Sequence, residues 1–107
     1  MDAGVLGKSW LYNQIVSTMK HINLKITGKV QGVWYRKSTF DEARRLGLKG
    51  FVRNQPDGSV YAEAEGEEQV LDEFISWCKV GPRLARVSEV KVVEGPMEHF
   101  DSFKVKY

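Results

Sequence analysis

One short segment of the chain has the residue types and the spacing that anion binding requires. It reads Gly28-Lys29-Val30-Gln31-Gly32-Val33-Trp34-Tyr35-Arg36. A loop of this kind can turn several backbone N–H groups inward, because Gly32 tolerates a positive φ that other residues resist. A helix that starts here adds its unpaired amino-terminal donors, and Arg36 adds a planar two-pronged guanidinium. The segment predicts a site for a phosphoryl group, although two glycines and an arginine alone also fit an ordinary strand-to-helix connection.

A second segment places a carboxamide where it could face this loop. It reads Gly50-Phe51-Val52-Arg53-Asn54-Gln55-Pro56-Asp57-Gly58-Ser59-Val60. Asn54 ends a strand just before a tight turn, and a carboxamide both donates and accepts hydrogen bonds, as a side chain that positions water must. The competing interpretation is an asparagine that only initiates the turn with its own side chain.

Alternating and helical patterns indicate the elements that hold these two segments. Alternation predicts a strand over Ile22–Thr27, a second over Phe51–Arg53 and a returning strand over Val60–Glu65. Helical spacing from about Tyr35 ends at Gly47.

The second half of the chain continues the pattern. Glu67 and Glu68 open a second helix that Gly81-Pro82 stops, a fourth strand runs near Val87–Val93, and a short last strand carries Phe103, Val105 and Tyr107. The order is β-α-β-β-α-β plus a terminal strand. It predicts an α+β, ferredoxin-like split-βαβ sandwich with two helices on one face of an antiparallel sheet.

Length, charge and cysteine content limit the classes of protein to which the chain can belong. The 107 residues suffice for one domain, and the net charge of +2 is too small to indicate nucleic-acid binding. Cys78 is the only cysteine, so neither an internal disulfide nor a thiolate metal site is expected, and its apolar neighbours predict an inert buried thiol. No apolar run approaches the ~20 residues of a membrane span, which favours a cytoplasmic protein. Residues 1–18 are interpreted as an upstream extension or leader outside the fold, and residues 19–107 as the domain.

Taken together, the two segments resemble the acylphosphatase family. They match G-x-V-Q-G-V-x-[FY]-R followed by G-[FW]-V-x-N-x-x-D-G-x-V, and the similarity extends over roughly residues 20 to 107. It implies hydrolysis of acyl phosphates to a carboxylate and inorganic phosphate, without metal or cofactor. Arg36 and Asn54 are then the catalytic residues, and Asn54 orients the water. The implied phosphate-binding residues are Val30, Gln31, Gly32, Val33, Trp34, Tyr35 and Arg36.

The chemistry of this substrate class fits such a site. A carboxylate leaves without protonation, so no general acid is needed. The protein has only to bind the transferring phosphoryl group, neutralise its charge and hold water in line with the breaking bond.

The remaining candidate ligands are interpreted as structural. His21 and His99 have no second histidine or cysteine at ligand spacing, so both are expected at a strand edge or in a loop. The acidic residues are expected on the solvent face of a strand and at a helix start: Glu63, Glu65, Glu67 and Glu68.

Two alternatives stay open. Lys49-Gly50-Phe51 begins like the signature of an RNA-recognition module with the same element order, but Arg53 and Asn54 stand where stacking aromatics belong. The domain could also be a module of a larger maturation enzyme, although the end of the chain at Tyr107 favours a stand-alone protein. We expect a monomer that binds a small acyl phosphate, with inorganic phosphate as product and competitive inhibitor, and no nucleic-acid or membrane partner.

Overall fold

The strands and helices follow one another in the predicted order. The computed structural model describes residues 19–107. The strands are β1 (Met19–Lys29), β2 (Lys49–Asn54), β3 (Val60–Glu67), β4 (Arg86–Gly95) and β5 (Phe103–Lys106), and the helices are α1 (Tyr35–Arg45) and α2 (Glu68–Val80). The predicted α+β, ferredoxin-like class is confirmed. The leader predicted over 1–18 lies outside the described residues.

The sheet has the strand order β4-β1-β3-β2-β5. Strand β1 pairs antiparallel with β3 and β4, and β2 pairs antiparallel with β3. Strand β5 differs, because it lies parallel to β2, so the complete sheet is mixed. The cause is the position of the chain after β4, which ends at the same end of the sheet where β2 begins. The connection over 96–102 therefore feeds β5 along the free edge of β2 in the direction of β2.

Alternation along the strands places one set of side chains under the helices. Leu24, Ile26, Val52 and Ala62 are fully buried there. Helix α1 packs on this layer through Tyr35, Thr39 and Ala43, and α2 through Leu71, Phe74 and Cys78. The Cys78 thiol is fully buried, and burial raises its pKa to about 12, as expected for an inert core thiol. Within the described part of the chain, no helix is long and apolar enough to cross a bilayer.

Two sequence-based expectations are wrong. Glu65 does not lie on a solvated face, since its side chain is only 3% exposed. His21 is not an edge residue, since it is also only 3% exposed and pairs with strands on both sides. His21 Nδ1 lies 2.7 Å from Glu65 Oε2, and Glu65 accepts backbone N–H bonds from Glu98, His99 and Phe100. The cause is the 96–102 connection, which crosses this end of the sheet and covers both side chains. Sequence spacing gives no sign of such a distant segment.

Candidate active site

The loop between β1 and α1 is anchored by two buried valines. Val30 is 1% and Val33 is 6% exposed, while Gly32 between them is exposed. Gly32 has φ +74°, the left-handed conformation that its lack of a side chain permits. Trp34 also has a positive φ, of 65°, and stands at the amino-terminal cap of α1. The loop therefore turns sharply at Gly32 and again at Trp34, and Arg36 lies in the first turn of the helix that follows.

A cavity of about 410 Å³ opens beside this loop. It is lined by Val30, Gly32, Trp34, Tyr35, Arg36, Lys37, Asn54, Val105 and Tyr107. Five of the seven predicted phosphate-binding residues are in this lining; Gln31 and Val33 are not. Arg36 and Asn54, predicted from separate segments, thus face the same cavity.

Asn54 reaches the cavity because β2 places it on the helix side of the sheet, opposite Val60 of β3. Its Oδ1 is buried and has no hydrogen-bond partner among the described residues. A buried acceptor without a partner costs about 1–3 kcal/mol, so it is uncommon away from functional sites. The following turn is held by Asp57 instead, whose Oδ1 accepts from the Ser59 N–H at 2.9 Å. The competing interpretation of Asn54 as a turn-initiating side chain is therefore not supported.

Arg36 presents its guanidinium to the cavity with support from the last residue of the chain. Its Cζ lies 4.5 Å from the centre of the Tyr107 ring, within the range of a cation–π contact. Among residues 19–107, no carboxylate forms a salt bridge with Arg36. The guanidinium remains available for an anion, and Lys37 adds a second positive charge to the lining.

The side chain of Gln31 makes a contact that the sequence did not predict. Its side chain lies away from the cavity lining, and Nε2 donates to the backbone carbonyls of Gln55 at 2.7 Å and Ser59 at 2.8 Å. These two bonds tie the loop after β1 to the turn between β2 and β3. Because Asn54 is adjacent to Gln55, these bonds connect the loop before Arg36 to the segment that carries Asn54.

Sequence reasoning also missed Lys37, Val105 and Tyr107 as lining residues. Lys37 follows Arg36 directly, and Tyr107 belongs to the Phe-x-Val-x-Tyr ending, so each carried a weak signal. Val105 reaches the cavity because β5 pairs with β2, where it lies opposite Val52. That pairing has no local sequence signature.

The part of the chain that the structure describes contains no group of three or more His, Cys, Asp or Glu side chains placed to hold a metal ion. His21 and His99 are not brought together as ligands. His21 contacts Glu65, Asn23 and Glu63, and both carboxylates also accept hydrogen bonds from other groups.

Comparison with known proteins agrees with the geometry. The family model for acylphosphatase matches residues 22–105. An acylphosphatase of Archaeoglobus fulgidus is 48% identical over 86 residues, which are 80% of this chain and 97% of that protein. The structure of an acylphosphatase from Coxiella burnetii superposes with a TM-score of 0.82 at 34% identity, covering 87% of this chain and 98% of that one.

The same fold also occurs within a longer protein. HypF from T. kodakarensis matches with a TM-score of 0.73 at 28% identity, over 82% of this chain but only 12% of that chain. The RNA-recognition alternative is not favoured by any of these similarities. The chain belongs to the acylphosphatase family, and the reaction that it catalyses is the hydrolysis of acyl phosphates to a carboxylate and inorganic phosphate.

Proposed function

We propose that Arg36 and the backbone of residues 30–36 hold the phosphoryl group, and that Asn54 orients the attacking water, without a metal ion. The observation that carries this proposal is the unpartnered Oδ1 of Asn54 in the cavity that Arg36 also lines. A water molecule would supply the missing hydrogen-bond donor, and the phosphoryl oxygens would supply the anion that the guanidinium lacks.

The reaction then needs few protein groups. The water oxygen attacks phosphorus, the bond from phosphorus to the bridging oxygen breaks, and the carboxylate leaves with that electron pair. The guanidinium and the loop amides balance the negative charge on the transferring group in a preorganised site. The amide group of Asn54 fixes the direction of attack. Both protons of the water stay with the product, which leaves as dihydrogen phosphate, so the step needs no side chain as proton acceptor.

Substitutions of Arg36 and of Asn54 should have different effects on phosphate binding and on kcat. Arg36 contacts phosphate before and during the reaction, so Arg36→Ala is expected to raise the inhibition constant of inorganic phosphate and to lower turnover. Arg36→Lys should restore little, because an ammonium lacks the two-pronged geometry. Asn54→Ala should lower kcat by about 10²–10³ with the phosphate inhibition constant nearly unchanged. The measurement is kcat together with phosphate inhibition for each variant.

Thermal melts of the variants serve as the folding control. If Asn54→Ala lost phosphate inhibition while Arg36→Ala kept it, the proposed roles would be reversed.

A metal-free mechanism predicts that turnover of an acyl phosphate is unchanged after dialysis against EDTA and is not raised by Mg²⁺. The described residues offer no ligand cluster, and the positive charge is proposed to come from Arg36, Lys37 and backbone donors. Loss of activity in chelator, with recovery on one divalent ion, would contradict this mechanism.

The proposed site also predicts which molecules the chain binds. Inorganic phosphate is proposed as a competitive inhibitor, because it contains the group that the site holds. The chain is proposed to act as a monomer in the cytoplasm, without a nucleic-acid partner. The small net charge of +2 supports the absence of a nucleic-acid partner, and the unpaired Cys78 supports the cytoplasmic location.

A further inference from the structure

Exposed apolar side chains collect beside the catalytic cavity. Trp34 is 74% exposed, Leu84 is 62% exposed and Tyr107 is 99% exposed. Trp34 and Tyr107 line the 410 Å³ cavity, and Trp34 and Leu84 line a second cavity of about 260 Å³. Exposed apolar surface of this kind marks binding sites more often than chance placement does.

The second cavity, called the Trp34–Leu84 groove here, is lined by Val33, Trp34, Pro82, Arg83 and Leu84. Its lining is apolar except for Arg83. Trp34 also lines the catalytic cavity, so the two spaces share this residue of their linings.

The two walls of the groove are fixed relative to each other. Trp34 is held in a left-handed conformation at the start of α1, where its carbonyl accepts from the Ser38 N–H at 2.9 Å. The opposite wall follows α2 and packs against the next residue, Tyr35. A β-carbon at Gly81 would lie only 2.6 Å from the Tyr35 ring, and the Tyr35 hydroxyl donates to the Cys78 carbonyl at 2.6 Å. The backbone segments that carry the two walls are therefore held close together.

Acyl phosphates have two chemically different ends, and the two cavities match them. The phosphoryl end is anionic and fits Arg36, while the acyl end varies in size and is attached through a single bridging oxygen. We infer that the Trp34–Leu84 groove binds the acyl group and favours a planar apolar acyl group over a small one such as acetyl. This inference rests on the proposed placement of the phosphoryl group at Arg36. Since a cavity of ~150 Å³ admits a benzene ring, the groove is large enough for one aromatic ring.

The groove acts on binding rather than on the chemical step. The acyl group keeps its contacts with Trp34 and Leu84 in the ground state and in the transition state, because bond breaking occurs on the phosphorus side. Such uniform binding lowers KM and leaves kcat nearly unchanged. The effect should be present for benzoyl phosphate and almost absent for acetyl phosphate, whose methyl group is too short to fill the groove.

The test measures kcat and KM of the full chain with benzoyl phosphate and with acetyl phosphate. Leu84→Ala is expected to lower the benzoyl-to-acetyl ratio of kcat/KM by about 3–10-fold, through KM for benzoyl phosphate. Trp34→Ala should lower the ratio by about 10-fold or more, and Trp34→Phe should restore most of it. Alanine keeps a β-carbon at position 34, so the backbone cost of the positive φ remains comparable.

Val93→Ala is the matched control. Val93 is 62% exposed, as Leu84 is, but lies on β4 and lines neither cavity. The benzoyl-to-acetyl ratio of kcat/KM should be the same for Val93→Ala as for the unmodified chain. Inhibition by inorganic phosphate, which has no acyl group, should be the same for Leu84→Ala as for the unmodified chain.

The outcomes separate the inference from the function on which it rests. If the unmodified chain hydrolyses both substrates and every variant keeps the same ratio, the acyl subsite is overturned and the phosphate site stands. If the ratio is constant while Leu84→Ala and Trp34→Ala shift the sedimentation coefficient toward a smaller species, a second copy of the chain covers the groove and the inference fails. If neither substrate is hydrolysed, the function and the inference both fail.

Discussion

At the scale of single residues, the site is notable for the kinds of side chain that it lacks. Among the residues that the structure describes, the lining of the 410 Å³ cavity contains cations, a carboxamide and aromatic rings, but no side chain of histidine, aspartate, glutamate or cysteine. Tyr35, whose ring is in the lining, is held by burial and by its bond to the Cys78 carbonyl, and burial raises the pKa of its hydroxyl further above neutrality. Proton transfer by a side chain is therefore not part of the proposed chemistry.

This composition predicts a flat pH dependence. Between about pH 6 and pH 8, kcat for an acyl phosphate should change by less than about 2-fold, because no lining group is of a type that titrates in this window. Initial rates at saturating substrate in buffers of constant ionic strength provide the measurement. A bell-shaped profile in that range would reveal a general acid or base outside the residues named here.

Arg36 and Asn54 could be predicted from the sequence because each lies in a long segment of fixed spacing. The role of the Gln31 side chain could not, because its partners are backbone carbonyls of a distant turn. Tyr107 joins the site only through the pairing of β5 with β2, a contact between segments far apart in the chain. Long-range pairing of this kind leaves no periodicity in the sequence.

At the scale of elements, the site depends on keeping two loops in register. The loop after β1 carries Arg36 at its end, and the turn after β2 follows Asn54. Their direct connection is the Gln31 side chain, through its two bonds to Gln55 and Ser59. Misplacement of catalytic groups by about 1 Å can lower the rate by about 10²-fold. Loss of the two Gln31 bonds can therefore lower the reaction rate more than it lowers the stability of the fold.

Gln31→Glu tests that connection with almost no change in shape. The amide donor becomes a carboxylate oxygen facing two carbonyl oxygens, which repels both and separates the loops. We expect kcat/KM to fall by about 10–100-fold, with a larger loss than in Gln31→Ala, which only removes the two bonds. Gln55→Ala is the matched control, since it keeps the backbone carbonyl that Gln31 contacts. Equal activity of all three variants would show that the loops hold their register without this side chain.

The element order was predictable because alternation and helical spacing are strong in this chain. The course of 96–102 was not. It carries no pattern of its own, yet it decides that β5 joins the sheet parallel to β2 and that Glu65 is buried. Its position is fixed by backbone N–H groups, which any residue except proline provides.

At the scale of the whole molecule, the face of the sheet opposite the helices contains a buried ionic cluster. His21 lies between two carboxylates of β3, with Nδ1 at 2.7 Å from Glu65 and Nε2 at 3.0 Å from Glu63, and Asn23 Oδ1 lies 2.8 Å from Nε2. Burial acts to lower the pKa of His21, but the bonds to Glu65 and Asn23 and the two negative charges outweigh it and raise this pKa. Burial acts to raise the pKa of Glu65, but the three backbone N–H donors and His21 lower it overall.

These opposite shifts predict the pH at which the fold is most stable. The contribution of His21 is complete below its ordinary pKa of 6.5 and is lost as pH rises through the higher folded value. The contribution of Glu65 is complete above its ordinary pKa of 4.5 and is lost as pH falls through the lower folded value. The pair therefore stabilises the fold most between these two ordinary values.

We expect the free energy of unfolding to fall from pH 6 to pH 9 as His21 loses its proton in the folded state. Urea titrations across this range provide the measurement. His21→Gln should be less stable at pH 6 and should lose this alkaline decline, because glutamine keeps hydrogen-bonding capacity without a charge that titrates. Lys25→Gln is the control. The Lys25 side chain is exposed, and its Nζ lies 3.0 Å from Asp57 Oδ2, outside the His21 cluster. The stability of the Lys25→Gln variant should therefore follow the pH curve of the unmodified chain. An alkaline decline that persisted in His21→Gln would place the responsible group elsewhere in the molecule.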